Sequence, residues 1–439
     1  MDYQEDGCKD STLYLSSSLD FDDVEDLIEV EQNMYAALPL VKARPETRSL
    51  NGKVCMHVLG TARTDVRVMR EATTLAQAGM EVSIVDIESD PTQPREEEFD
   101  GIHVKHILMP GWFVPTRFKP WFLVKLFLAL LYGTLALVTV SAEIYHAHDD
   151  TALPACYIAA RLRRKRLVFD AHELPLVEPN ITRWRLLRGL SALLLKSMLA
   201  RCSAVITVSP PIIRELQRLY GGRTAWLIRN IPAYQVPISS NRLRQYLELD
   251  AGTRIALYQG NLDSRGLHIL IHAARFIDPG IVIVMMGKGA NQADLEALIA
   301  REGVGERAKI IPPVPYAELL AWTASADIGL VVYSPVSTPI ITPNIQMCLP
   351  NKLFEYLMAG LPVLASRLDA VADIVTTYDV GCIVNSLDPQ DIGQAINRML
   401  ADYDALARMK SNANAATRHD LCWENEGCRL IDCYRDISG

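Results

Sequence analysis

The chain has 439 residues, and because one hydrophobic core rarely serves more than about 300 residues, this length predicts two domains. Its net charge of −8 lies wholly in the first 50 residues, which hold 12 acidic and 4 basic side chains. The remainder is neutral overall, and no nucleic-acid partner is expected. Nine cysteines without a CxxC pair argue against a disulfide framework or a zinc site and favour a reducing cytoplasm.

Residues 1–50 form an acidic arm. They begin without the basic-then-apolar pattern of a secretion signal, and a short helical pattern covers 22–34. Beyond the arm, apolar strands alternate with amphipathic helices, which predicts a first α/β domain over 51–230. Its first predicted elements are a strand at 53–59, a polar turn at 60–65, a helix at 66–78, and strands at 81–86 and 101–108.

An uncharged apolar run follows at residues 126–142. It is closely bounded by Lys125 and Glu143, whereas a membrane span needs about 20 apolar residues. We expect a buried helix here, and the alternatives are a helix that dips into one leaflet or a true span.

Two further strands of the first domain, predicted at 143–147 and 167–170, end in polar loops. Because the carboxyl ends of parallel strands meet at one edge of a sheet, these loops predict an active-site edge. Their polar residues are His146, His148, Asp149, Asp150, Asp170, His172 and Glu173.

A basic segment at 161–218 holds 12 basic and four acidic residues. Within it, a helix predicted at 183–202 has arginines in its first two turns and then leucines, as an interfacial helix that binds anionic lipid would. The alternative is an ordinary surface helix whose arginines face water. Residues 112–142 and 183–202 are therefore the candidate contacts with an anionic membrane surface.

Residues 231–245 contain two prolines and two serines and are predicted to link the domains. A second domain over 246–411 restarts the alternation, so each half is predicted to be a doubly wound parallel sheet. The last residues, 412–439, are expected to form a helix that packs back on the first domain. The strands predicted in the second domain are at 254–259, 281–286, 309–311, 328–332, 361–365 and 382–384.

The most informative stretch is 350–366, PNKLFEYLMAGLPVLAS. Pro350 and Asn351 open a helix whose first-turn N–H groups and partial positive charge suit a diphosphate. Glu355 lies one turn further on, where its carboxylate can accept two hydrogen bonds from a vicinal diol such as ribose. The stretch therefore predicts a nucleoside diphosphate site.

This stretch also resembles the donor-binding segment of family 4 glycosyltransferases, in the subgroup with a PNKLFEY-type motif. The family consists of retaining enzymes with the GT-B fold, in which two Rossmann-like domains face a cleft. The resemblance covers nearly all of residues 53–400 and implies that the second domain binds a nucleotide-sugar donor, with no further cofactor. The donor-binding residues that it implies are Gly260, Arg265, Gly287, Gly289, Asn351, Lys352 and Glu355.

Two positions depart from the family pattern. Asn261 stands where family members have the first of two basic residues that contact the diphosphate. Met347 replaces the first glutamate of the family's pair, which usually touches the transferred sugar. Asn344, Gln346 and Lys352 are candidates for the missing polar contact. The identity of the sugar therefore stays open.

The resemblance also assigns residues of the first domain. Gly60, Arg63 and Asp65 belong to a loop that would face the diphosphate and the acceptor across the cleft. His148 matches a histidine near the reacting carbon, and Glu173 resembles a carboxylate of the cleft that could act as a base or an acceptor ligand. We assign His148 and Glu173 as the candidate catalytic residues.

No metal site is expected, because Asp149 and Asp150 lack the DxD spacing and Arg265 with the helix N-terminus could neutralise the diphosphate. We predict a cytoplasmic, peripherally membrane-associated, retaining glycosyltransferase. It would transfer a sugar from a nucleoside diphosphate donor, UDP being favoured over GDP, to a saccharide or lipid-linked acceptor in glycan or glycolipid synthesis. The alternatives are a nucleotide-sugar epimerase of the same fold and a catalytically silent scaffold subunit.

Overall fold

A computed structural model describes residues 50–109, 122–175, 185–221, 225–263, 266–333 and 343–438. These residues form two α/β domains, each built on one sheet. The elements of the first domain are β1 (Lys53–His57), a 3-10 turn (Ala62–Thr64), α1 (Val66–Gln77), β2 (Glu81–Glu88), β3 (Glu96–Phe99), β4 (Ile102–Leu108), α2 (Phe122–Thr139), β5 (Ile144–His148), α3 (Asp149–Arg163), β6 (Arg166–Ala171), α4 (Arg185–Leu199), β7 (Ala204–Thr207), α5 (Pro210–Tyr220) and β8 (Trp226–Leu227).

The second domain follows the same alternation of strand and helix. Its elements, with the two helices that end the chain, are α6 (Arg242–Tyr246), β9 (Arg254–Gln259), α7 (His268–Ala273), β10 (Ile281–Met286), α8 (Gln292–Glu302), β11 (Ala308–Ile311), α9 (Tyr316–Thr323), β12 (Ile328–Val331), α10 (Pro343–Met347), α11 (Asn351–Met358), β13 (Val363–Ser366), α12 (Asp369–Thr377), β14 (Gly381–Val384), α13 (Pro389–Ala401), α14 (Tyr403–His419) and α15 (Trp423–Ser438).

The first sheet has the strand order β3-β4-β2-β1-β5-β6-β7-β8. Its strands pair in parallel except for β3, which is antiparallel to β4. The sequence analysis did not predict β3, because its residues EEEF lack an apolar alternation and lie at an exposed edge. The second sheet has the order β11-β10-β9-β12-β13-β14 and is parallel throughout.

Each sheet buries side chains on both faces, as parallel sheets do. In β1, Val54 and Met56 enter the cluster that contains α1, whereas Cys55 between them enters the cluster that contains α2 and α3. Burying one such apolar side chain stabilises the fold by about 1.5–3 kcal/mol. The period-two alternation of β1 thus fixes its register between two layers of helices.

The last two helices of the chain pack on different domains. Helix α14 packs on the second domain through Leu406 and Met409, whereas α15 enters the core of the first domain through Trp423 and Tyr434. The indole Nε1 of Trp423 donates a hydrogen bond to Oγ1 of Thr74, at 2.8 Å. The chain therefore crosses back to the first domain after residue 419.

The predicted fold of two doubly wound, parallel-sheet domains facing a cleft is confirmed. The predicted linker 231–245 differs, since it contains the short helix α6. The predicted helix at 22–34, residues 112–121 and residues 183–184 lie outside the described residues.

Helix α2 accounts for most of the apolar run, and it is buried on one side. Ala129 and Leu137 are buried, whereas Phe127 and Leu135 are 61% and 53% exposed. Among the described residues, no helix combines the length and the apolarity that crossing a bilayer requires.

Candidate active site

Two adjoining cavities lie between the domains at the carboxyl ends of their strands. The larger has a volume of about 930 Å³ and the smaller about 430 Å³. Arg67, Asn230 and Asn351 line both cavities, so the two lie next to each other. The larger is lined mainly by the second domain and the smaller mainly by the first.

Helix α11 points its N-terminus at both cavities. Pro350 precedes it in an extended conformation and accepts a hydrogen bond from the N–H of Leu353, and no side chain caps the first turn. Asn351 accepts a hydrogen bond from Asn230 of the other domain, at 3.2 Å. The ammonium of Lys352 lies 3.5 Å from the ring centroid of Tyr258, inside the larger cavity. The predicted diphosphate end of the site is therefore positively charged.

Glu355 lines the larger cavity one turn further along α11. Its Oε2 accepts a hydrogen bond of 2.6 Å from Nε2 of Gln259, whose Oε1 accepts one of 2.8 Å from Thr323. Burial raises the pKa of Glu355 above its usual value, although Gln259 and Lys352 oppose this shift. Gln259 was not among the residues predicted from the sequence, although a polar residue at the end of the apolar strand β9 indicates a position at the site.

The glycines of the donor loops are required by loop packing. A Cβ on Gly287 would lie 1.9 Å from the carbonyl oxygen of Gly260, and a Cβ on Gly289 would lie 2.3 Å from Oδ1 of Asp263. Gly260 itself has a φ of +120°, which side chains rarely tolerate. Gly260 and Gly287 line the larger cavity, and the loops that contain them touch each other directly.

The two basic positions of the donor loop have different outcomes. Arg265 lies outside the described residues, so its contact with the diphosphate stays a prediction. Asn261 lines the larger cavity, and its Oδ1 accepts a hydrogen bond from the backbone N–H of Asp263 at 2.7 Å. Asn261 thus shapes the loop and supplies no charge.

Helix α10 carries the position of the missing glutamate. The Met347 side chain packs against the core of the first domain, and its carbonyl accepts a hydrogen bond from Ser209 at 2.7 Å. Gln346 donates to Asp369 and is absent from the lining of the larger cavity, whereas Asn344 belongs to that lining. Of the proposed substitutes, Asn344 and Lys352 therefore reach the cavity.

Glu173 lies at the rim of the larger cavity, where the two domains meet. Its Oε2 accepts a hydrogen bond of 2.9 Å from Asn344, whose Oδ1 in turn accepts one of 2.9 Å from the backbone N–H of Leu174. In this arrangement Glu173 bridges the domains.

The first-domain loop contributes two of its three predicted residues. Gly60 and Asp65 line the smaller cavity, and Asp65 also caps α1 by accepting hydrogen bonds from two backbone N–H groups. Arg63 points elsewhere: its Nε lies 2.7 Å from Glu97 and its NH1 3.1 Å from Gln93. The prediction that Arg63 faces the cleft is wrong, because an ion pair with β3 holds it on the outer side.

His148 is completely buried and lines the smaller cavity. Its Nδ1 lies 3.2 Å from Oδ2 of Asp170, while its Nε2 has no hydrogen-bond partner among the described residues. Burial lowers the pKa of His148, which favours the neutral ring. With Nδ1–H donating to Asp170, Nε2 carries the lone pair of the neutral ring.

Asp170 is the centre of this network. Arg67 donates to both of its carboxylate oxygens, each at 2.7 Å, and Nε2 of His172 lies 3.0 Å from Oδ2. Although burial raises the pKa of Asp170, the charges of Arg67 and His172 hold it well below its usual value. Burial lowers the pKa of His172, but Asp170 and Asp149 together raise it to about 9. His172 lines the larger cavity and is therefore a second cation of the site.

Arg67 was not among the residues predicted from the sequence. Arg67 and Glu71 lie four residues apart on the buried side of α1, which also holds Arg70, Val68 and Leu75. Charged residues that share a helix side with apolar ones were a signal for a partner elsewhere in the chain.

One group of side chains has the composition of a metal site. Ligand atoms of Glu71, His146, His148 and Asp170 lie within 4.8 Å of one another, all buried. Arg67 contacts both carboxylates, at 3.0 Å from Glu71 and 2.7 Å from Asp170, so a cation there would face a buried positive charge. The expectation that no metal takes part stays a prediction.

Two relatives illustrate the similarity in sequence. The chain is 23% identical over 398 residues to D-inositol 3-phosphate glycosyltransferase 1 of Catenulispora acidiphila, which covers 84% of this chain and 90% of that protein. It is 24% identical over 255 residues to D-inositol 3-phosphate glycosyltransferase of Xylanimonas cellulosilytica, which covers 54% of this chain and 58% of that protein.

Solved structures agree on the fold. Sucrose-phosphate synthase from Thermosynechococcus elongatus superposes with a TM-score of 0.69 at 18% identity, over 88% of this chain and 99% of that one. Anabaena Alr3699/HepE in complex with UDP-glucose superposes with a TM-score of 0.61 at 17% identity, over 88% and 98%.

Family models match both domains. The model of Glycosyltransferase Family 4 matches residues 65–231, and that of Glycosyl transferases group 1 matches residues 239–416. The chain belongs to glycosyltransferase family 4 and has the GT-B fold.

Proposed function

We propose that the protein is a retaining, metal-independent glycosyltransferase that moves a sugar from a nucleoside diphosphate donor to a saccharide or lipid-linked acceptor. The observation that carries this proposal is the position of Glu355 in the larger cavity, where Gln259 holds one carboxylate oxygen at 2.6 Å. In this position the carboxylate would accept the hydroxyl groups of a ribose. The N-terminus of α11 lies about one helical turn from Glu355, and there it would bind the diphosphate of the same donor.

Several cations would neutralise the departing diphosphate. Lys352 and His172 line the larger cavity, and the positive end of α11 lies between the two cavities. Arg265 is the further candidate from the donor loop. These groups would stabilise the negative charge that develops on the leaving oxygen, so that most of the catalysis is electrostatic.

His148 would act on the sugar side of the donor. Its Nε2 lies on the side of the ring away from Asp170 and has no hydrogen-bond partner among the described residues, and His148 lines the smaller cavity. There it would accept a hydrogen bond from a sugar hydroxyl and fix the ring beside the acceptor. In a retaining transfer, the departing phosphate oxygen would take the proton of the acceptor hydroxyl as the new glycosidic bond forms on the same face. Positioning of both substrates then supplies the remaining rate enhancement.

UDP is the favoured nucleotide. Anabaena Alr3699/HepE was crystallised with UDP-glucose, and another structural relative is a UDP-forming trehalose-phosphate synthase from Burkholderia vietnamiensis. These proteins share the fold with this chain, and their donors support the proposal by analogy only.

The acceptor side is proposed to face an anionic membrane surface at the cytoplasmic side. Helix α2 exposes Phe127, Leu131 and Leu135 along one side. Helix α4 exposes Leu193 and Leu194. Exposed apolar rows beside basic residues suit peripheral contact with lipid headgroups.

A donor panel tests the proposal. The protein is incubated with UDP- and GDP-sugars, with and without simple saccharides, and the release of nucleoside diphosphate and the anomeric form of the product are measured by NMR. We expect UDP release and retention at the anomeric carbon. Glu355→Gln should weaken UDP binding, whereas Glu296→Gln, an exposed carboxylate on α8, should not. Neither hydrolysis nor nucleotide binding with any donor would refute the proposal.

A second candidate is a silent scaffold subunit of the same fold. Met347 favours it, because its apolar side chain packs on the first domain and stands where the family resemblance implies a glutamate that touches the sugar. A Glu355→Gln variant that keeps the biological role would support this candidate.

A further inference from the structure

The first domain has a surface that combines exposed aliphatic side chains with exposed basic residues, here termed the basic-apolar face. It lies on α3 and α4, which Arg201 connects through a hydrogen bond of 3.4 Å to Tyr157. Its exposed apolar residues are Ile158, Leu162, Leu190, Leu193 and Leu194. Its exposed basic residues are Arg161, Arg163, Arg164, Lys165, Arg166, Lys196 and Arg201.

Acids are scarce in the chain segments of this face, although the exposed Glu143 adjoins Arg166 in the sheet. Residues 151–169 and 185–209 contain no aspartate or glutamate. Within the described ranges, none of the seven basic side chains forms an ion pair with a carboxylate. The seven basic side chains lie near the C-terminal ends of α3 and α4 and repel one another. An acidic partner would therefore stabilise this face.

The acidic arm joins the first domain at Leu50, which packs in the cluster of α1, on the opposite face of the sheet from the cluster that contains α3 and α4. Leu50 is buried and donates its N–H to the carbonyl of Ala78, at 2.7 Å, and β1 begins three residues later. The N–H of Glu143 then donates to Lys53, and that of Arg166 to Glu143, at 2.8 and 3.1 Å. Because neighbouring strands lie about 4.8 Å apart, the start of β1 is about 10 Å from Arg166.

The composition of the arm complements the face. Residues 21–31 contain six acids, at positions 22, 23, 25, 26, 29 and 31, interleaved with Phe21, Val24, Leu27, Ile28 and Val30. The spacing of three and four between Phe21, Val24 and Ile28 is the pattern of an amphipathic helix, in which these apolar residues would share one side. The 18 residues between this segment and Leu50 can span up to about 60 Å, while α3 is only about 22 Å long.

We propose that residues 21–31 dock on the basic-apolar face of the same chain, with their apolar side on the exposed leucines and their carboxylates on the arginines. The short tether keeps the effective concentration of the arm high, so weak contacts suffice for docking. The docked arm would cover the surface that anionic lipid would otherwise contact, and lipid would have to displace it. The docking itself does not depend on sugar transfer.

Zero-length carbodiimide cross-linking of the full chain tests the docking, because it joins a carboxylate to a lysine in direct contact. We expect links from residues 21–31 to Lys165 or Lys196, in several-fold excess over links to Lys288, an exposed lysine of the second domain. The excess should fall when the salt concentration rises from about 0.05 to 0.5 M, since screening weakens exposed ion pairs. Mixing chains of light and heavy nitrogen separates links within one chain from links between chains.

Two full-length variants sharpen the test. Asp22→Asn with Asp23→Asn, Glu25→Gln and Asp26→Asn should abolish the excess at Lys165 and Lys196. The same loss is expected from Arg163→Glu with Arg164→Glu, whereas Arg301→Glu on α8 should leave it unchanged. An even distribution of links over the lysines, or links only between chains, would overturn the proposal.

Vesicle binding separates this proposal from the membrane contact proposed above. If the arm covers the face, neutralising four of the six acids in residues 21–31 should increase binding to phosphatidylserine vesicles several-fold relative to the unmodified chain. Intramolecular links without any vesicle binding would support the docked arm and refute the membrane contact. Vesicle binding that the neutral arm leaves unchanged would count against the docking.

Discussion

Arg67 holds the carboxylate of Asp170 through two hydrogen bonds of 2.7 Å, although both side chains are almost completely buried. The pair joins α1 to the end of β6, and Asp170 in turn orients His148. Charge in the core is thus used to position a histidine at the wall of the cleft.

Removing one partner of this pair should be costly. Arg67→Ala leaves Asp170 buried without its cation, and we expect a loss of about 3–5 kcal/mol in the free energy of unfolding. Lys53→Ala, which breaks an exposed ion pair with Glu81, should change it by less than about 1 kcal/mol. Urea unfolding measures both. Equal effects of the two substitutions would show that the buried pair has no special role.

The charge of His172 predicts a dependence of stability on pH. Because its pKa is raised from 6.5 to about 9, the protonated ring stabilises the fold fully below pH 6.5, and this contribution is lost as the pH rises through 9. His172→Gln should therefore destabilise the protein by up to about 3 kcal/mol at pH 6 and much less at pH 9.5. His103→Gln, at an exposed position of β4, serves as the control. A constant difference between wild type and His172→Gln at both pH values would contradict this prediction.

Gln259 should matter for nucleotide binding. Gln259→Met removes the donor that holds Glu355, and one hydrogen bond to a charged group is worth about 1.5–3 kcal/mol. We expect UDP to bind at least about tenfold more weakly, which isothermal titration calorimetry can measure. Gln245→Met, remote from both cavities, should leave the affinity unchanged. Unaltered affinity in Gln259→Met would show that Glu355 does not need this partner.

The contact between the donor loops can be tested at Gly287. Gly287→Ala puts a Cβ 1.9 Å from the carbonyl oxygen of Gly260, so the loops must separate. We expect a loss of about 1–3 kcal/mol in stability together with weaker UDP binding. Gly252→Ala has open space around the new methyl group and should affect neither quantity. Thermal unfolding with and without UDP measures both, and a fully stable Gly287→Ala variant would refute the packing argument.

Membrane contact through α2 is tested at Phe127, which is 61% exposed. Phe127→Ser should reduce co-sedimentation with phosphatidylserine vesicles at low salt and leave the stability of the fold unchanged, because little apolar area is lost from the core. Val236→Ser, at a site 71% exposed outside this surface, is the matched control. Equal binding by Phe127→Ser and the unmodified chain would remove α2 from the proposed contact.

Local patterns predicted much of the architecture. The continuous apolar run of Val54, Cys55 and Met56 predicted a buried strand, and Pro350 with Asn351 predicted the start of α11. Strand β3 was not predicted, because three consecutive glutamates at a sheet edge show no hydrophobic period. The orientation of Arg63 was not predicted either, because its partner Glu97 belongs to that same strand.

The sequence by itself determined the two-domain fold and the donor helix with Glu355, because periodicity, helix starts and turns depend on neighbours a few residues apart. Only the tertiary structure decided that Arg67, Asp170 and His148 form one buried network, that Gln259 holds Glu355, and that Met347 turns towards the first domain. Arg67 and Asp170 lie 103 residues apart in the chain, and no local period links such residues. They pair because α1 packs against the sheet and brings Arg67 to Asp170. Without this contact each charge would be buried without a partner.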